Sequence, residues 1–111
     1  MEVLNHHIYE YSKGLRNLVL HTMNMQEVEL AIKKLKRRNI RYCIQQVSFN
    51  KCNIFFGKPE CVRIIEPMIH RSLTNLTAEE DFMLGIMLGY DRMLQCERYI
   101  ARKQLFQLTA T

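Results

Sequence analysis

The fold is decided by residues 40–57, IRYCIQQVSFNKCNIFFG. Two runs within this stretch, Ile40–Val47 and Cys52–Phe56, are rich in β-branched and aromatic residues, which favour strands. Only Ser48–Lys51 lies between them, a separation typical of an antiparallel hairpin. Gly57 ends the second run. The stretch therefore predicts two neighbouring strands that pair with each other.

A strand and a helix are predicted immediately before this hairpin. Leu15–Met23 is aliphatic enough for a first strand. Asn24 and Glu27 have the spacing of a capping box, which marks a helix start, and Asn39 suits the helix end. The pattern between these ends predicts a helix with one apolar face, formed by Val28, Ala31, Ile32 and Leu35.

The N-terminal segment has two possible structures. Leu4–Lys13 can form a short helix that stops at Gly14, since glycine readily takes the left-handed conformation of a helix end. Tyr9 and Tyr11 also permit an extended strand. We favour the helix.

Two further helices are predicted after the hairpin. Pro59 suits the first turn of a helix that Pro67 should end. Thr77 and Glu80 form a second capping box, and the helical pattern continues from there to about Lys103. The sequence thus predicts one long last helix.

The element order α-β-α-β-β-α-α predicts an α+β fold with a three-stranded sheet. Its βαββα core corresponds to half of a ferredoxin-like fold, with extra helices at the N- and C-terminal ends. Such a sheet has an exposed edge that the extra helices or a second subunit must cover. No linker or repeat divides the chain, so we predict a single α+β domain over residues 1–103 and a flexible C-terminal tail over 104–111.

The predicted last helix is apolar on all sides between Phe82 and Tyr90, which is typical of a helix that is buried on more than one side. In so small a chain we expect a second copy of the protein to cover the other side of this helix, and hence a homodimer. Alternatively, Gly85 and Gly89 both pack under the protein's own sheet. The predicted dimer interface is Leu84, Gly85, Met87, Leu88 and Gly89.

The net charge of +5 is concentrated in one short segment. Six of the sixteen basic residues fall between Lys33 and Arg41, and those on the helix lie opposite its apolar face or in its last turn. A basic face of this kind attracts acidic proteins or nucleic acid. We do not expect nucleic acid, because the aromatic spacing of an RNA-recognition sheet is absent. The predicted partner-binding residues are Lys33, Lys34, Arg37, Arg38 and Arg41.

The sequence contains no motif that names a reaction, so we assign no catalytic residue, metal or cofactor. His6 and Glu10 would share a helix face, but two ligands do not make a metal site. An enzyme that uses the group His6, His7, Tyr9 and Glu10 with Cys61 or Cys96 stays an alternative. The predicted polar site consists of His6, His7, Tyr9, Glu10, Tyr90, Asp91 and Arg92.

The cysteines indicate a reducing compartment. Cys43, Cys52, Cys61 and Cys96 form no C-x-x-C pair, so structural zinc is not expected. No export signal and no membrane-spanning apolar run is visible. We therefore expect a cytoplasmic protein with reduced cysteines that pack as small hydrophobic residues.

Nearly the whole chain, up to about residue 103, resembles a small bacterial family known only as a domain of unknown function. The stretches that carry the resemblance are Asn5–Glu10 with Gly14 and Arg16–Thr22, Asn53–Cys61, and Thr77–Phe82 with Leu88–Arg92 and Gln95–Tyr99. The resemblance implies three strands, five helices, a homodimer and an association with flavodoxin. It implies no catalytic residue.

Together, these patterns predict a non-catalytic accessory or adaptor protein that binds an acidic protein as a homodimer, with flavodoxin as a candidate partner. The alternatives are a small-molecule-sensing module at a dimer interface, and the enzyme described above.

Overall fold

The computed structural model describes the backbone of residues 1–110 and the side chains of residues 1–104. The predicted flexible tail, 104–111, lies almost entirely outside the residues described with side chains and stays a prediction. Short 3₁₀ turns occupy Met25–Glu27, Met68–His70 and Leu73–Asn75. The helices and strands are α1 (Glu2–Ser12), β1 (Leu18–Asn24), α2 (Val28–Arg37), β2 (Arg41–Ser48), β3 (Lys51–Gly57), α3 (Pro59–Ile65), α4 (Ala78–Met87) and α5 (Arg92–Ala110).

The three strands form one antiparallel sheet in the order β1-β3-β2. β2 and β3 pair as the predicted hairpin, and Ile44 lies opposite Ile54. β1 pairs with the far side of β3, where Val19 lies opposite Phe56. Because α2 connects β1 to the distant strand β2, the βαββ order agrees with the predicted ferredoxin-like half. The α+β fold class is confirmed.

Helices cover both faces of this sheet. On one face, Leu4 of α1 and Leu35 of α2 belong to a buried cluster that includes Phe56. On the other face, Phe55 belongs to a second cluster with Val62 of α3 and with Leu84 and Leu88 of α4. Successive residues of β3 point to opposite faces, which is why this central strand is buried on both sides. The α2 and α4 helices therefore lie on opposite sides of the molecule.

A row of polar side chains crosses the sheet. Thr22 Oγ1 donates to Asn53 Oδ1 at 2.6 Å, and Asn53 Nδ2 donates to Gln45 Oε1 at 2.9 Å. Gln45 Nε2 donates in turn to the carbonyl oxygens of Ile69 and Arg71, at 3.1 and 2.8 Å. Buried amides are costly unless they are hydrogen-bonded, so this row favours a single strand register.

The N-terminal segment is helical, and the extended alternative is wrong. α1 ends at Ser12, and Gly14 has the left-handed φ of +78° that the predicted stop requires. β1 begins at Leu18, three residues later than the sequence predicted, because Leu15–Asn17 complete the connection.

The two predicted capping boxes differ in outcome. At Thr77, the box is confirmed, because Glu80 N donates to Thr77 Oγ1 at 3.1 Å and Thr77 N donates to Glu80 Oε1 at 2.9 Å. The box at Asn24 and Glu27 is wrong, since the Asn24 side chain caps nothing. Asn24 is still the last paired residue of β1, and α2 begins only after the 3₁₀ turn.

The predicted single last helix is also wrong, because the chain turns between α4 and α5. Gly89 has φ +80°, Gly89 N donates to Ile86 O at 3.0 Å, and Tyr90 N donates to Gly85 O at 3.1 Å. These two bonds form a Schellman motif, which ends a helix at a glycine. Asp91 then caps the new helix, since Leu94 N donates to Asp91 Oδ1 at 2.9 Å.

The turn folds α5 back against α4. The sheet covers one side of α4 and α5 covers another, which explains why α4 is apolar all round. A Cβ atom on Gly85 would lie 2.0 Å from Gln95 Oε1, so this glycine makes room for α5. Gly85 thus packs inside the subunit, against α5 and not under the sheet, whereas Gly89 is exposed in the turn. Among the described residues, no helix is both long and apolar enough to cross a membrane.

Candidate functional site

The basic residues around α2 concentrate positive charge on one surface of the chain. We define the basic face as Lys33, Lys34, Lys36, Arg37, Arg38 and Arg41. The opposite side of α2 is buried through Val28, Ala31 and Leu35, which fixes the helix against the sheet. All of the basic face is exposed except Lys34, which is half-buried and donates from Nζ to Asn5 Oδ1 at 3.0 Å.

Within residues 1–104, no carboxylate lies at ion-pair distance from the basic face. The carboxylates of α4 pair elsewhere: Asp81 Oδ2 lies 2.7 Å from Arg98 Nε, and Glu79 Oε1 lies 2.9 Å from Lys103 Nζ. Among residues 1–104, no ion pair therefore neutralises the positive charge of the basic face.

At the C-terminal end of α2, the basic face continues into a groove of about 620 Å³. Lys36 and Arg41 contribute positive charge to its lining, and Glu66 contributes one carboxylate. Lys58 stands nearby, with its Nζ 5.7 Å from the centre of the Tyr11 ring, a cation–π contact. Lys58 is not among the predicted partner-binding residues, because only the position of α3 relative to α1 brings it to this surface.

The predicted N-terminal polar group does come together, around Glu10. Glu10 Oε1 lies 3.7 Å from both His6 Nε2 and His7 Nδ1. Arg16 joins them, with NH1 3.2 Å from His7 Nδ1 and 3.8 Å from Glu10 Oε1. The His21 ring packs edge-on against His7, with 5.4 Å between ring centres. Arg16 and His21 were not among the predicted site residues, since only the pairing of α1 with β1 places them here.

Both clustered histidines are poor proton acceptors. Burial lowers the pKa of His7, and the neighbouring Arg16 guanidinium lowers it further. Burial also lowers the pKa of His21, and the His7 ring beside it acts in the same direction. At neutral pH the His7 and His21 rings are therefore predominantly uncharged, and their edge-on contact joins α1 to β1. Among the described residues, no group of three His, Cys, Asp or Glu side chains could hold a metal ion.

The second half of the predicted polar site is only partly joined to the first. Tyr90 lines a groove of about 400 Å³ together with Glu10 and Arg16. Asp91 instead caps α5, and Tyr9 is exposed beneath Lys13, whose Nζ lies 5.5 Å from the centre of the ring. Arg92 is exposed at the start of α5 and does not line the groove. Of the predicted polar residues, Glu10 and Tyr90 therefore line one groove. His6 and His7 contact Glu10 but do not line this groove, and neither do Tyr9, Asp91 and Arg92.

The predicted interface residues are mostly covered by their own subunit. Leu84 and Leu88 are buried, 7% and 4% exposed, and Gly85 lies beneath Gln95. Met87 is half-buried, and Gly89 is exposed in the turn. The exposed apolar side chains near this turn are Leu15, Ile86, Tyr90, Met93 and Leu94. The homodimer itself stays a prediction.

Three of the four cysteines, Cys43, Cys52 and Cys61, have environments that disfavour a reactive thiol. All four are free, and Cys52 is buried. Burial raises the pKa of Cys43 to about 11, with a smaller contribution from the Glu66 carboxylate. Burial likewise raises the pKa of Cys52 and Cys61. The thiolate is the nucleophilic form, so these shifts disfavour an enzyme that uses Cys61.

Comparison with known proteins agrees with the resemblance seen in the sequence. No curated protein matches the chain. A family model described as "Protein of unknown function (DUF2023)" matches residues 2–102, which include all of the elements described above except the end of α5. The chain belongs to the DUF2023 family.

Proposed function

We propose that this protein is a non-catalytic accessory protein that binds an acidic protein on the basic face of α2. The observation that carries the proposal is the absence, within residues 1–104, of any carboxylate paired with the basic face, although α4 pairs its own carboxylates. Unpaired cations on a fixed helix give a directed positive field, which speeds encounter with an acidic surface.

A protein is favoured over nucleic acid by the state of the neighbouring tyrosines. Proteins that bind single strands stack the bases on available aromatic rings. Tyr11 is half-buried, its ring packs edge-on against Phe56 at 6.3 Å, and Lys58 lies over it. Tyr42 is also half-buried. Neither ring is freely available as a stacking platform.

Flavodoxin is the acidic protein that we propose as the partner, because flavodoxins are generally acidic and the family resemblance suggests the association. We also propose that the protein acts as a homodimer. The cluster of exposed apolar side chains near the α4–α5 turn supports this part of the proposal, since such clusters often mark interfaces.

The test compares two variants that change the charge equally. The face variant carries Lys33→Glu, Arg37→Glu and Arg38→Glu. The control variant carries Lys51→Glu, Arg63→Glu and Arg92→Glu, which reverse exposed cations away from the basic face. Calorimetry with flavodoxin at low and high salt should show at least roughly tenfold weaker binding for the face variant alone. Wild-type binding should weaken as salt rises.

Equal loss in both variants would mean that only net charge matters, which would contradict a specific docking face. A wild-type protein that binds duplex DNA or RNA more tightly than flavodoxin at matched salt would favour the nucleic-acid alternative. Sedimentation of the wild-type protein tests the dimer separately, since a single chain mass at high concentration would contradict it.

A further inference from the structure

A cleft lies on the opposite side of the sheet from the basic face, between β1, the 3₁₀ turn Leu73–Asn75 and the α4–α5 pair. Its volume is about 390 Å³, which falls within the range of small-molecule sites. The apolar part of its wall is formed by Leu20, Leu73, Leu76, Leu84 and Leu88. These leucines would bury a hydrocarbon group.

Positive charge is in excess at one side of this cleft. Arg98, which lines the cleft, donates to Asp81 through Nε at 2.7 Å and NH2 at 3.2 Å. Arg102 also lies beside this carboxylate, with NH1 3.6 Å from Asp81 Oδ2. Asp81 also lines the cleft, and Arg102 lies just outside it, so two guanidinium groups share one carboxylate at its edge. Within the described residues, the NH1 group of Arg98 makes no hydrogen bond, so it can donate to a second anion.

The cleft also contains an amide that has no hydrogen-bond partner in the described part of the chain. Gln95 projects from α5 over Gly85, where any larger residue would collide with its Oε1 atom. Within residues 1–104, the side-chain amide of Gln95 makes no hydrogen bond. Its Nε2 amide group is thus available to donate to a bound molecule, and Arg98 lines the same cleft.

We propose that this cleft binds a small apolar carboxylic acid, with its hydrocarbon part against the leucines and its carboxylate against Arg98 and the Gln95 amide. Leucine walls disfavour a strongly hydrated ligand, and the excess of guanidinium groups disfavours a cationic one. The site is separate from the basic face, so the proposal does not depend on the partner of α2.

The probes are hexanoate and hexanamide, which share a chain and differ in head-group charge. In ¹H–¹⁵N NMR titrations of the wild-type protein, hexanoate should shift the amide signals of Leu84, Leu88 and Gln95 and saturate. Hexanamide should bind about tenfold more weakly, because it lacks the charge-assisted hydrogen bond. Equal affinity for the two probes, or no saturation with hexanoate, would overturn the proposal.

Two variants test the site in different ways. Arg98→Gln should abolish the preference for hexanoate, whereas Leu20→Trp should block both probes by filling the cleft while it keeps the arginine. Leu20→Trp also covers the case in which Arg98→Gln alters the shape of the cleft through loss of the Asp81 contact. Arg92→Gln, on the same helix but outside the cleft, should bind like the wild type. Unchanged hexanoate binding in Leu20→Trp would overturn the proposal, as would loss of binding in Arg92→Gln.

Discussion

Helices α2 and α4 both carry several charged residues, but they differ in what those charges contact. In α4, Glu79, Glu80 and Asp81 each lie beside a cation from another element. On the basic face of α2, no cation lies at ion-pair distance from a carboxylate among the described residues. The charges of α4 therefore hold one element against another, whereas the charges of α2 stay available to another molecule.

The unpaired charges of α2 also disfavour the helix slightly. Lys33 and Arg37 are four residues apart, as are Lys34 and Arg38, so each pair of like charges lies on one helix face. Like charges at this spacing destabilise a helix by a few tenths of a kcal/mol, roughly. Folding alone does not require such an arrangement, which is why we connect the basic face with binding.

The largest expected effect concerns the apolar side of α4. Leu84→Ala should lower the free energy of unfolding by about 2–4 kcal/mol, because it leaves a space among buried residues. Met83→Ala, at an exposed position of the same helix, is the matched control and should cost far less. Denaturation by urea at several protein concentrations measures both. If the loss at Leu84 depends on protein concentration, this leucine lies in a subunit interface instead.

A smaller effect is expected at the contact between α4 and α5. Gly85→Ala should cost about 1 kcal/mol net, because the new methyl group must displace the Gln95 side chain, while alanine favours the helix over glycine by about 1 kcal/mol. Gln95→Ala alone should cost little, and it should restore most of the stability when combined with Gly85→Ala. A double-mutant cycle in urea gives the coupling energy. Additive losses would show that the two residues are not in contact.

The ion pairs of α4 should contribute less again. Asp81→Asn removes the partner of Arg98 and Arg102, and it should cost less than about 1 kcal/mol because Arg98 is largely exposed. Thermal unfolding at low and high salt measures the loss, which should shrink as salt screens the wild-type pair. A loss that is independent of salt would indicate packing, not charge, as its cause.

The sequence predicted most of the elements because their signals are local. Pro59 opens α3, Thr77 caps α4 and Gly14 ends α1, and each depends on residues within one helical turn. The failures came where a local pattern had a second structural use. Asn24 belongs to β1 through its pairing with Lys51, so it cannot also cap a helix. The apolar pattern continues past the end of α4, and only the left-handed backbone conformation of Gly89 reveals that the helix ends there.

The candidate site likewise has a part that the sequence predicted and a part that only folding brings together. The basic face is visible in the sequence, because the helix period puts its cations opposite Val28, Ala31 and Leu35. Arg16, His21 and Lys58 come from elements that lie beside α1 only after folding, and their spacing in the sequence carries no signal. The cleft lined by Arg98 could not be predicted either, because it exists only where α5 turns back against α4. The single long helix that the sequence predicted would not form it.

The smallest expected effect concerns the stability of α2 itself. Replacing Lys33, Arg37 and Arg38 with glutamine removes the repulsion between like charges, which should stabilise the helix by a few tenths of a kcal/mol. The same change removes cations from its last turn, where they favour the helix dipole by a similar amount. The two effects oppose each other, so we expect a net change within about 0.5 kcal/mol in urea denaturation at low salt. The same three replacements should still weaken binding of the acidic partner, which separates the role of these charges in binding from any role in folding. A loss of stability well above that range would mean that these cations are paired within the molecule, and the contrast between α2 and α4 would then be wrong.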